Sequence, residues 1–86
     1  MVYYPVGTVV LLKEATHPVM IYGRLQRRGN DKAVWDYIGC LYPEGYIGDN
    51  ANIFFNSDDV EGVVHKGLIT PAEEKMQKLL NKFKKQ

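Results

Sequence analysis

The chain has 86 residues and a formal net charge of +1, so it holds one small domain and matches neither a strongly basic DNA binder nor an enzyme for acidic substrates. Its single cysteine excludes an intramolecular disulfide, and no Cys/His spacing suits zinc, which makes a reducing cytoplasm the simplest setting. The first residues lack the basic start and long apolar run of a signal peptide, and no apolar run is long enough to span a bilayer.

Residues 7–13 read as a first strand, opened by Pro5 and Gly7 and rich in β-branched side chains. Pro18 ends the connection that follows, because it cannot donate to a ladder. Residues 19–26 form a second strand, with a bend or bulge expected at Gly23. The charged stretch 27–32 is a hairpin tip by composition, and residues 33–40 form the third strand. Tyr42-Pro43-Glu44-Gly45 fits a type I turn, and residues 46–50 carry the chain through a second one. Residues 52–56 make a short fourth strand. Asn56, Ser57 and Asp58 can then cap one helical or 3₁₀ turn before a last strand at 61–67.

Five short strands in so few residues cannot build two packed layers, so the sheet must curl around its own core. The expected fold is mainly β (α+β), a small SH3-like five-stranded barrel or a strongly bent antiparallel sheet over residues 1–69. A basic amphipathic helix over 70–86 follows it. Thr70 is the N-cap, Pro71 the first helical residue, and Glu73 stands at the capping-box position. Met76, Leu79, Leu80 and Phe83 recur at i, i+3, i+4 and i+7 as one apolar stripe. The tail is charged differently from the body: residues 1–70 carry a net −2 and residues 71–86 a net +3.

No catalytic, metal-binding or cofactor-binding constellation stands out. His17, His65 and Cys40 are far apart in sequence, Ser57 is the only serine, and the adjacent Asp58 and Asp59 suit a capped turn better than acid/base work. The eight glycines match no phosphate loop. Asp36, inside an apolar strand, needs a partner if buried, and Arg24 on the preceding strand is the nearest one. The densest tract is residues 35–45, where Trp35 and Cys40, the only residues of their kinds, run with Tyr37 into the Pro-Glu-Gly turn. Arg24, Trp35, Tyr37, Tyr42, Glu44 and Tyr46 are the candidate partner-binding residues, although Trp35 reads better as a core residue, together with one flanking Tyr. Arg27, Arg28 and Lys32 could touch nucleic acid, but three charges on an acidic body bind weakly and in a salt-sensitive way. The helix suits packing on the barrel, on a second copy as a homodimer, or on a cargo helix, better than it suits a membrane surface.

The run 5–12, then 20–26, 35–40, 42–48 and 54–60, resembles a small domain-of-unknown-function family from Gram-positive bacteria, family 4176. Its members are encoded beside LXG polymorphic toxins of type VII secretion loci. The resemblance implies a cytoplasmic, non-enzymatic accessory role: a chaperone or targeting partner that binds a toxin, or a companion helical protein, before export. An immunity protein for a neighbouring toxin and a nucleic-acid-binding barrel are the alternatives.

Overall fold

The computed structural model describes residues 1–30 and 32–83. Five strands, β1 (Val9–Leu12), β2 (Val19–Arg27), β3 (Val34–Leu41), β4 (Ile53–Phe55) and β5 (Val60–His65), precede one helix, α1 (Pro71–Lys82). They form a single antiparallel sheet in the order β4-β3-β2-β1-β5. β1 to β4 are a meander, and β5 returns beside β1. The expected helix extends in sequence to residue 86, but 84–86, like Asp31 of the hairpin tip, lie outside the described residues.

The connectivity itself forces the sheet to bend. β4 and β5 occupy opposite edges, which in a flat sheet would be about 19 Å apart at about 4.8 Å per strand. Only Asn56 and a 3₁₀ turn, Ser57–Asp59, join them. At about 2 Å per residue in that turn and about 3.4 Å per extended residue, the link reaches about 13 Å. The edges must therefore approach, yet no ladder joins β4 to β5 among the described residues, so the sheet is strongly bent and not closed.

Two register shifts between β1 and β5 leave the outer edge of the sheet irregular at Glu61 and Val64, a feature that discourages edge-to-edge pairing. A third lies in β2 between Ile21 and Gly23, where the sequence suggests a bulge. At Gly39 in β3 the chains approach so closely that a Cβ would lie 2.6 Å from a Val19 methyl and 2.8 Å from the Met20 carbonyl oxygen.

The core gathers Val10, Val19, Ile21, Tyr37 and Phe55 from the sheet with Tyr3 and Leu80 from outside it. Tyr37 is at its centre, fully buried, with its ring 5.4 Å from Phe55, 5.7 Å from Tyr4 and 6.1 Å from Tyr3. Its hydroxyl accepts the Tyr4 N–H at 3.0 Å. Burial raises the Tyr37 phenol above its ordinary value, partly offset by a hydrogen bond with Ser57.

Thr70 caps α1 as the sequence indicates, its hydroxyl accepting the Glu73 N–H at 3.1 Å. The rest of the expected capping box is absent: the Glu73 side chain turns to Arg24 instead, at 2.5 and 2.9 Å. The apolar stripe is also not the docking face. Leu80 is buried, but Met76, Leu79 and Phe83 are 41, 50 and 71 % exposed. The helix is held instead by its Glu73, Gln77, Asn81 row. Gln77 accepts the Tyr3 N–H (2.9 Å) and donates to the Tyr3 carbonyl (2.7 Å). Asn81 accepts from the Met1 nitrogen (3.0 Å) and donates to the Met1 carbonyl (2.8 Å). Four helical residues rise about 6 Å and two extended residues about 6.7 Å, so side chains at i and i+4 can grip alternate residues of a straight segment.

Candidate functional site

Strand alternation sends Val19 and Ile21 into the core and leaves Met20 and Tyr22 on the opposite face, with Met20 across from Cys40 on β3. The loop after β3 folds back over this outer face. Gly45 donates its N–H to the Leu41 carbonyl at 2.7 Å, one residue further than a type I turn allows, and the Tyr42–Pro43 peptide is cis. The type I assignment is therefore replaced by a five-residue reversal, completed by Gly45 at a φ of +80°, where a side chain would be strained. A shallow hollow of about 420 Å³ results, lined by Met20, Tyr22, Cys40, Gly45 and Tyr46.

The rim is fixed by polar contacts from three separate segments. The Tyr42 N–H donates to the Pro18 carbonyl at 3.0 Å, and His17 Nε2 lies 2.9 Å from Glu44 Oε1. Tyr22 donates its hydroxyl to Asn52 Oδ1 at 2.7 Å, and Tyr46 donates to Asp49. The bond to Asp49 raises the Tyr46 phenol above its ordinary value, and burial raises that of Tyr22. The hydrogen bond from His17 lowers the Glu44 carboxyl below its ordinary value. Around this framework Tyr42, Tyr46 and Ile47 are 50, 58 and 60 % exposed. Tyr46, its hydroxyl held by Asp49, thus presents an exposed ring at little entropic cost.

Of the six candidate residues, three meet here: Tyr42, Glu44 and Tyr46. The others lie elsewhere for identifiable reasons. Tyr37 is fully buried and belongs to the core, so it is unable to contact a partner. Trp35 sits near the hairpin end of β3, half-buried, with the Arg28 guanidinium 5.7 Å from its ring centre. Arg24 is redirected by the β2 bulge. Simple alternation from Val19 and Ile21 would place residue 24 outward, but the extra residue turns it inward. There it meets Glu73 in a bidentate pair and donates to the Tyr4 carbonyl at 3.3 Å.

Arg24 therefore pairs with Glu73 and not with Asp36. Asp36 is buried and accepts the Ser57 N–H at 2.8 Å, while its own N–H donates to Asn56 Oδ1 at 3.0 Å. It secures the turn that brings the sheet edges together. Sequence reasoning did not single out Tyr22, Met20 and His17 as site residues, nor Gln77 and Asn81 as the grip on the N-terminal segment. The available signal for the last two was the polar row at 73, 77 and 81, whose spacing matches that of an apolar stripe.

The sequence model of the family described as "Domain of unknown function (DUF4176)" matches residues 3–76. No curated protein and no solved structure matches the chain.

Proposed function

The chain belongs to the DUF4176 family, and from that premise we propose that it is a non-enzymatic accessory protein that binds another protein through its outer aromatic face. The partner is an LXG toxin of a type VII secretion locus, or a helical companion of that toxin, held in the cytoplasm before export. The observation that carries the reading is the exposed group of Tyr42, Tyr46 and Ile47, on a loop tied to neighbouring segments by the His17–Glu44 and Tyr22–Asn52 contacts, with Tyr46 held within the loop by Asp49. A surface loop exposing three large apolar groups while spending hydrogen bonds on holding them in place is arranged for contact, since isolated exposed side chains need no such support.

Co-expression with the toxin encoded beside it supplies the test. The pair is expected to co-elute in size exclusion, and Tyr42→Ala with Tyr46→Ala to release the toxin while the far-ultraviolet spectrum stays unchanged. Separate elution of the wild-type proteins refutes the reading. Rescue of cells that express only the toxic domain would replace the chaperone role with immunity.

A further inference from the structure

The outward stripe of α1 lies on the opposite side of the sheet from the aromatic loop, because Leu80 enters the core that Val19 and Ile21 face. We propose that this stripe is a second docking surface, and that its occupant is an acidic amphipathic helix. The inference does not depend on the aromatic face or on the identity of its partner.

Geometry defines the surface. At about 100° per residue, Met76, Phe83 and Leu79 fall within an arc of about 60°, next to but outside the arc that carries Glu73, Gln77, Leu80 and Asn81. The docked arc is satisfied: its three polar side chains grip Arg24, Tyr3 and Met1, and Leu80 is only 5 % exposed. No rotation of α1 could bury the stripe without breaking those bonds. An apolar stripe that folding leaves at 41 to 71 % exposure, on a helix already fully anchored, is available to an outside helix in the ridge-and-groove manner.

Charge selects the occupant. Lys75 and Lys82 lie about 40–60° beyond Leu79 on the flank away from the sheet, and Lys78 is further round the same side. All three are exposed. The other flank of the stripe faces the body of the domain, so the open flank presents these lysines to an incoming helix. Antiparallel pairing with a second copy would set this lysine row against itself, which is repulsive. A helix with Asp or Glu beside its apolar positions would face it with opposite charge.

The intact chain is titrated into a labelled three-heptad amphipathic peptide with Leu at its apolar positions and Glu on the flanks, and into the same peptide with Lys on the flanks. The Glu peptide is expected to bind about tenfold or more tightly than the Lys peptide, with an advantage that falls as salt is added. Leu79→Glu with Phe83→Glu should abolish binding while leaving the melting temperature unchanged. Lys75→Glu with Lys82→Glu should invert the preference, a result that a merely folded-state role for the lysines would not give. Equal binding of both peptides, or binding of neither, overturns the proposal. So does a self-association constant, by sedimentation, tighter than that for the Glu peptide, or preferential partition onto phosphatidylglycerol vesicles.

Discussion

Replacing Glu73 by alanine tests the most consequential polar contact in the fold. The Arg24 and Glu73 side chains are 5 and 12 % exposed and are joined by two hydrogen bonds of 2.5 and 2.9 Å. Without the carboxylate, Arg24 retains among the described residues only the Tyr4 carbonyl at 3.3 Å, leaving a buried guanidinium without its counter-charge. Removing one partner of such a pair costs about 3–5 kcal/mol. A domain of 86 residues is stable by roughly 4–13 kcal/mol, so the loss is a large fraction of the whole. Gln77 also loses a partner, because its Nε2 donates to Glu73 Oε2 at 2.7 Å as well as to Tyr3.

Urea denaturation followed through Trp35 fluorescence measures the effect. Double replacement by Arg24→Met and Glu73→Leu should recover most of the loss, because it removes both charges together. The pH dependence adds an independent check. The hydrogen bond from Arg24 lowers the Glu73 carboxyl below its ordinary value of 4.5, against the opposing effect of burial. A lowered folded value means the stabilisation is complete above the ordinary value and is lost as pH falls through the folded one. The difference between wild type and Glu73→Ala should therefore be widest at neutral pH and close in acid. A loss under about 1 kcal/mol at neutral pH, or a difference that does not change with pH, would refute the reasoning.

Asp36→Ala removes the acceptor of the Ser57 N–H and should cost about 1–3 kcal/mol in the same urea assay; an unchanged midpoint would show that the turn holds without it. Gly39→Ala drives a methyl against Val19 and the Met20 carbonyl, and should lower stability by about 1–3 kcal/mol, whereas a neutral result would mean β2 and β3 can separate there freely. For Glu44, carbon-detected NMR titration should show the carboxyl ionising below its ordinary value of 4.5 in the wild type, because the contact with His17 favours the anion. In His17→Ala the midpoint should move up towards that value, and an unmoved midpoint would break the assignment.

The strands and the helix were legible because their signals are local. Pro5, Gly7, Pro18 and the charged tip bracket apolar β-branched runs, and Thr70 with Pro71 starts a helix whatever it packs on. The bulge near Gly23 was legible too, but not its consequence. Alternation alone puts Arg24 outward and makes Asp36 its neighbouring charge; the inserted residue turns Arg24 to a helix 49 residues away in sequence. At the candidate site, Tyr42, Glu44 and Tyr46 could be found because they are consecutive with a turn. Met20, Tyr22 and His17 reach it only through the pairing of β2 with β3 and the fold-back of the loop.

The helix shows where the division falls. Capping and periodicity, settled by residues within four positions of one another, determined from the sequence that α1 exists and carries an apolar stripe. Which face turns inward depended on Tyr3 and Arg24, far along the chain, whose backbone and guanidinium groups require polar partners once water is excluded. Burying those groups unpaired costs more than leaving three apolar side chains in water. The tertiary structure therefore turned the polar row inward and left Met76, Leu79 and Phe83 on the surface.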